Sequence, residues 1–292
     1  MSDNATRRRP WGLAKFVAYG LLVVAALVSI FPLYVMILGS LRSFSDMFDS
    51  YLPTNLTLSA YRDLFSTNRD IPVSGQIVLN FVVPFWRSIA NSLLISLSYA
   101  LLTLTLCAMA GFAFAKYQFP GKQVLFILVL LTMMIPSAAT IIPLFYIMQK
   151  IGWIDTYQAV IVPGAASAFG VFWMRQYMQS LPNELLDAGR LDGCSSLRLF
   201  LNIVLPLCRP GLAALGIFLF VTSWTDFLWP LLILQSEAHY TIPVFLGAMS
   251  GTVNQPNPIG MAGSTFATVP IILIFIFFQR HFISGISAGA LK

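Results

Sequence analysis

Residues 181–206 read LPNELLDAGRLDGCSSLRLFLNIVLP. They are too polar to cross a membrane and too well patterned for a slack linker, so they predict two short helices. Pro182 with Glu184 in the first turn suits a helix start, because proline loses no needed donor there and a carboxylate favours the positive end of the dipole. Gly193 is a natural stop. After it Ser195 or Ser196 can cap a second helix that Pro206 ends, and Leu197, Phe200, Leu201 and Val204 form its apolar stripe. In the first helix Glu184, Asp187 and Leu191 share one face, while Leu185, Ala188 and Gly189 make a face of very little bulk. A small face flanked by carboxylates can press close to another protein and still offer ion pairs. The same pattern also fits an interfacial amphipathic pair that serves only its own bundle.

Outward from this stretch the chain is apolar. Of 292 residues 58% are hydrophobic and 10% charged, against roughly 25% charged in a soluble domain. Six runs can each supply the ~20 apolar residues a spanning helix needs, at about 16 to 40, 88 to 115, 124 to 148, 157 to 178, 210 to 234 and 259 to 279. Arg7, Arg8 and Arg9 before the first run resemble a secretory leader, but the run exceeds a leader core and lacks a cleavage site, so an uncleaved helix is expected. With the N-terminus inside, Arg7, Arg8, Arg9, Lys15, Lys116, Lys122, Arg175, Arg190, Arg198, Arg209, Arg280 and Lys292 fall inside, 12 of the 17 basic residues. That bias places both termini in the cytoplasm. The expected organisation is a cytoplasmic N-terminus at 1–15, a first helix at 16–40, an extracytoplasmic loop at 41–87, a five-helix core at 88–283 with its cytoplasmic loop at 179–209, and a cytoplasmic tail at 284–292.

The interior of the spans adds packing features. Gly164 with Ala168, and Ala166 with Gly170, have the small-xxx-small spacing that lets helices approach closely. Pro136, Pro143, Pro163 and Pro270 invite kinks. Asp226, beside Trp224, Phe227 and Trp229, is a carboxylate expected in or near the membrane, where it faces a wet cavity or a partner; aromatic rings beside hydrogen-bonding groups also suit sugars. The plainer reading sets the tryptophans in an interfacial belt with Asp226 near the headgroups. Asn91 reads as a start for the second span and as a candidate contact on the same pathway. Asn55-Leu56-Thr57 is a glycosylation sequon by pattern alone. Cys107, Cys194 and Cys208 follow neither a metal nor a disulfide spacing, and no metal ligand set is expected. No Gly-x-x-x-x-Gly-Lys-Ser/Thr phosphate loop occurs, and His239 and His281 stand in different loops, so neither ATP hydrolysis nor other catalysis is expected from this chain. Nucleic acid is not an expected partner.

The spacing carries a resemblance. Asp187-Ala188-Gly189, three residues, Gly193, nine residues and Ile203-Val204-Leu205-Pro206 resemble the Glu-Ala-Ala loop of permease subunits of ATP-binding-cassette importers, in the carbohydrate branch related to the second maltose permease. Asp187 stands where that family has Glu and Gly189 where it has Ala. Tyr61-Arg62-Asp63-Leu64-Phe65, Gly111 to Gly121, Met133-Met134-Ile135-Pro136, Ser223 to Leu231 and Gly285 to Ala290 are similar to the same branch, with Thr225 where Asn is common. The resemblance implies an all-α polytopic membrane protein with six transmembrane helices, the type I importer permease fold and a cytoplasmic coupling helix. It implies a non-catalytic half of an importer for an oligosaccharide, uronate oligomer, sugar alcohol or glycerol-phosphate type of solute, resident in the bacterial inner membrane. Its partners would be a second permease subunit, two cytoplasmic subunits that bind ATP and Mg, and an extracytoplasmic solute-binding protein. Glu184, Asp187, Ala188, Gly189, Gly193, Leu205 and Pro206 would meet the ATPase, Asp187 facing one of its basic residues, while Phe200 and Leu201 anchor the second loop helix. Trp224, Asp226, Trp229 and Asn91 would be candidates for the solute pathway. The rival reading is a proton-coupled secondary transporter using Asp226, although a second buried charge and an inverted repeat are not evident.

Overall fold

Every apolar run read from the sequence is helical in the computed structural model, which describes residues 13–43, 56–66, 70–73, 77–80, 84–252 and 257–290. Arg7, Arg8, Arg9, Asn55 and Lys292 lie outside the described residues. Helix α1 is Leu13–Ser40, and α2 is Ser59–Phe65. Asp70–Val73 and Ile77–Asn80 form an antiparallel ribbon, β1 and β2, within the 41–87 loop, with Asp70 opposite Asn80. Next come α3 (Phe85–Lys116), α4 (Lys122–Thr132), α5 (Ser137–Lys150), α6 (Tyr157–Ile161), a tight turn at Pro163–Ala165, and α7 (Ala168–Gln179). The loop region holds α8 (Glu184–Leu191), α9 (Ser196–Leu199), a π turn at Phe200–Val204 and α10 (Leu205–Leu207). The chain closes with α11 (Arg209–Trp224), α12 (Leu228–Ile233), α13 (Ile242–Thr252) and α14 (Pro258–Ala290).

Three helices, α1, α3 and α14, are long and apolar enough to cross a membrane unbroken, and counting each bent pair as one span gives six. The bends are 95° between α4 and α5, 46° between the α6 segment and α7, and 81° between the α9–α10 segment and α11. Proline alone does not decide where they fall. Pro136 caps α5 at one break and Pro163 opens the turn at another, whereas Pro143 and Pro270 sit inside continuous helices.

The unbroken α3 is the axis of the core, with α7 and α11 packed along it. Cys107, Met174, Met178, Leu215 and Leu219 are buried between these helices. Lipid is as apolar as leucine, so close van der Waals contact rather than hydrophobic drive holds such a pack. A Cβ on Gly111 would come 2.6 Å from the Cβ of Met174, and one on Gly170 would collide with the Cys107 sulfur. Of the small residues singled out in the fourth span, Gly170 is the one buried where α7 meets α3, while Ala166 is exposed. Two indoles add interhelical hydrogen bonds: Trp173 Nε1 donates to the Gly211 carbonyl at 3.1 Å, and Trp224 Nε1 to that of Ala267 at 3.0 Å. On the far side, Phe65 of α2 meets Phe85 of α3 and Phe266 of α14 edge-on, with centroids 5.5 and 5.4 Å away. This seats α2, in the 41–87 loop, on the core.

Three local expectations need correction. The second loop helix buries Leu199, Phe200 and Val204 and exposes Leu197 and Leu201, because the wider π turn shifts the face that a 3.6-residue period assigns. Pro206 does not end that segment: it sits in the first turn of α10, and the chain turns two residues later at Cys208. Asn91 is not a helix start, since α3 begins at Phe85 behind Pro84.

Candidate functional site

Two places gather the sequence candidates: the loop between α7 and α11, and a cleft where broken spans meet.

Asn183 sits at the N-terminus of α8, and Glu184 and Asp187 occupy its first turn. The helix ends in a paired turn, with the Gly193 N–H donating to the Arg190 carbonyl and the Cys194 N–H to that of Gly189. Gly193 holds φ +78 with open space where a Cβ would be, so this stop requires left-handed backbone rather than room. Leu186 and Gly189 face inward. A Cβ on Gly189 would lie 2.5 Å from Leu199 Cδ2 and 2.9 Å from Ile203 Cδ1, so Gly189 lets the two loop helices touch. Phe200 continues the seam onto α3, its ring 5.2 Å from that of Phe112. Lys116, at the end of α3, donates from Nζ to the Leu181 carbonyl at 2.6 Å and to Asn183 Oδ1 at 2.8 Å. The loop is thereby fastened to the core along one side. Its other side is free: Glu184, Leu185, Asp187 and Ala188 are exposed, and Leu191 is 90% exposed. Asp187 pairs with Arg190 of its own helix at 2.8 Å. An exposed i,i+3 pair is worth about 0.2–0.5 kcal/mol, so Asp187 can exchange that partner for another cation cheaply. Leu205 and Pro206 are part-buried at the corner leading into α11.

The second place is a cleft of about 320 Å³. Ser137 and Thr140 come from the start of α5, Pro163 and Gly164 from the turn before α7, and Thr222, Ser223, Asp226 and Trp229 from the break between α11 and α12; Tyr99 comes from the middle of unbroken α3. Three interrupted spans thus open onto one cavity. Free backbone at membrane depth persists where it is covered by protein or lines a watery space. The Asp226 carboxylate lies against the N–H groups of Phe227, Leu228 and Trp229, and Trp229 Nε1 donates to the Ala159 carbonyl at 3.0 Å, which leaves its ring on the cleft wall. Among the described residues, Asp226 is the one charged residue lining the cleft. Trp224 and Asn91 are not brought to it. Trp224 is 3% exposed and turned toward Ala267.

Asn91 instead organises the end of the molecule near the start of α3. Its Nδ2 donates to the carbonyls of Ala238 and Tyr240, and its Oδ1 accepts from the Tyr157 hydroxyl at 2.8 Å. Beside it, Asp155 Oδ1 accepts from the Gln235 and Ser236 N–H groups at 2.9 and 3.0 Å and lies 3.1 Å from His239 Nδ1. Burial alone would raise the Asp155 carboxyl; the hydrogen bonds from Ser236, His239 and Gln235 prevail and hold it below its ordinary value. Among the described residues, no group of three or more His, Cys, Asp or Glu could hold a metal ion. The sequence reading missed Lys116 and the hydroxyl residues of the cleft. Ser137 directly after Pro136, and Thr222-Ser223 directly before Asp226, were polar marks at helix breaks that could have revealed the cavity.

Residues 107–288 match the family described as binding-protein-dependent transport system inner membrane component. The chain is 37% identical over 272 residues to the arabinooligosaccharides transport system permease protein AraQ of Halalkalibacterium halodurans, covering 91% of this chain and 92% of that protein. It is 32% identical to the lactose transport system permease protein LacG of Rhizobium radiobacter, covering 98% of each. In fold it is similar to a chain of a bacterial ABC transporter involved in the import of the acidic polysaccharide alginate, with a TM-score of 0.79 at 21% identity over 94% of this chain and 98% of that one.

Proposed function

Since the chain belongs to the binding-protein-dependent inner-membrane components, the permease subunits of ATP-binding-cassette importers, we propose that it forms one half of the membrane pathway of a carbohydrate importer. The observation that carries this reading is the joining of two places by the same helices. Interrupted spans open on a hydroxyl-lined cleft, and α7, whose preceding turn lines that cleft, and α11, whose last turn does, lead directly into a loop with one side fastened and the other bare. A clasp on the bare side of α8 moves both helices and so alternately opens the cleft to either face of the membrane.

The clasp is supplied by two cytoplasmic subunits that bind ATP and Mg, while a second permease completes the pathway and an extracytoplasmic binding protein delivers the solute. Glu184, Leu185, Asp187, Ala188 and Leu191 form the contact. Gly189, Gly193, Leu205 and Pro206 act from behind it by shaping the lever. The chain has no catalytic role. Both termini are cytoplasmic, because the loop end carries Lys116, Lys122, Arg175, Arg190, Arg198 and Arg209. The sequence-derived division, core 88–283 with loop 179–209, is kept, with the last helix extending into the tail as far as Ala290.

The solute is an uncharged polyhydroxyl compound. Among the described residues the lining offers five hydroxyl residues, an indole face and one carboxylate, with no Lys or Arg to replace the hydration of a uronate or a phosphate ester. The names of AraQ and LacG agree with such a solute. A proton-coupled carrier gains no support, since Asp226 shares the cleft with no second titratable carboxylate or histidine.

Reconstitution of the whole importer in liposomes tests this. ATP-dependent uptake of a neutral oligosaccharide is expected, and Ala188→Arg on the bare face should abolish it while the chain still inserts and pairs. Uptake that follows a proton gradient without ATP would overturn the proposal.

A further inference from the structure

At the loop end of the molecule lies a cavity of about 570 Å³ that neither the lever nor the solute cleft uses. Its wall is the turn between α3 and α4, the first turn of α4 and Arg175 from α7. The Arg175 guanidinium rests 3.9 Å above the ring of Phe126, and its Nε is buried with no hydrogen-bond partner. Lys122 donates to the Tyr117 carbonyl at 2.7 Å, which spends one of the three donors of an ammonium group. Gln118 and Gln123 complete the polar rim, and among the described residues no carboxylate lines the cavity. Two cations in one polar pocket repel each other unless an anion lies between them. The first turn of α4 adds its positive dipole end to the same space.

From the pocket an apolar strip leads away along α4, where Val124, Leu128 and Leu131 are 62%, 52% and 48% exposed at helical spacing. A free phosphate would need only the pocket. A strip of this length beside it suits an acyl chain.

We propose that this cavity binds the phosphate group of an anionic phospholipid, with its chains laid along α4. Arg175 and Lys122 grip the phosphate, and the lipid thereby ties α4 to α7, the helix that leads into the lever. The orientation proposed above would place this lipid in the inner leaflet, and only that placement rests on it.

The test titrates the purified importer, in detergent, with phosphatidylglycerol or phosphatidylcholine and counts retained lipids by native mass spectrometry. Retention of phosphatidylglycerol over phosphatidylcholine is expected. Arg175→Gln and Lys122→Gln should each weaken it roughly fivefold, the worth of one cation near an anionic headgroup. Gln118→Glu, at the exposed rim, brings a carboxylate to the pocket without touching the core and should weaken retention similarly. Phosphatidylglycerol retention that is unchanged in all three variants overturns the site. Inorganic phosphate that displaces the lipid completely at equal concentration overturns the lipid as occupant, and so does an acidic segment of a partner subunit found cross-linked to Arg175. Lipid retention is measured without transport, so loss of uptake and loss of the lipid site are separate results.

Discussion

Helix α3 holds a loop at each of its ends, by opposite means. At the inner end the grip is packing: Phe112 against Phe200, Leu199 and Val204 buried, Gly189 allowing the seam to close, and one ammonium group, Lys116, tying the strap before α8. At the outer end the grip is polar. Asn91, the Ser92 hydroxyl that accepts from the Ile242 N–H at 2.8 Å, Tyr157 and Asp155 hold the 235–242 segment by directional bonds. Packed surfaces deform little and pass a push along. Asn91 is 5% and Ser92 2% exposed, so breaking these bonds leaves buried donors and acceptors unpaired, at about 1–3 kcal/mol each. One end of α3 is thus held mainly by fitted surfaces and the other by directional bonds.

The largest expected break of this contrast is at the seam. Gly189→Val forces a branched side chain into Leu199 and Ile203 and should cost about 1–3 kcal/mol, seen as a lower unfolding temperature of the purified complex and loss of the co-purifying ATPase. Next comes Asn91→Leu, which strips the Tyr157 hydroxyl and two carbonyls of their partner at about 1–3 kcal/mol. Hydrogen exchange should then accelerate in 235–242 and stay unchanged in 181–206; equal loosening of both would mean the two ends are one unit. Lys116→Met keeps most of the bulk and loses two bonds from a part-buried cation, worth about 1 kcal/mol. It should leave assembly intact and raise the ATP consumed per solute carried.

The smallest effect is acid sensitivity at the outer end. The Asp155 carboxyl sits below its ordinary value, so its contribution is complete above the ordinary value of about 3.9 and fades as pH falls through the lower, folded one. Hydrogen exchange in 235–242 should quicken in that acid range and nowhere above it. Asp155→Asn should remove the dependence. Asn tolerates the left-handed φ of 61 found there, so the backbone is kept.

Much of this was legible in the chain itself, for reasons that differ from place to place. The spans were readable because ~20 apolar residues have few other uses. The loop was readable because Gly193 and Ser195 each do one local job, Gly193 taking the left-handed stop and the Ser195 hydroxyl accepting from the Arg198 N–H, although Pro182 lies ahead of α8, whose N-cap is Asn183. What sequence hid was long-range. Nothing local separates Pro136, at a break, from Pro143, inside a helix; their neighbours across the cleft decide. The π turn hid the true buried face of 199–204. Asn91 looked like a helix start because Asn often is one, and its real partners lie about 147 residues away at Ala238. Lys116 looked like one more inward-side charge.

The corner after α8 is chosen by handedness. At Gly193 the backbone turns to φ +78 and nothing stands where a side chain would go, so an L-alanine there would be penalised by its own chirality, by about 1–2 kcal/mol, and not by any neighbour. A D-alanine introduced by semisynthesis should fit without loss. The chain would then contain a stereochemical element that no genetically encoded side chain can improve on, located at the corner between the two loop helices.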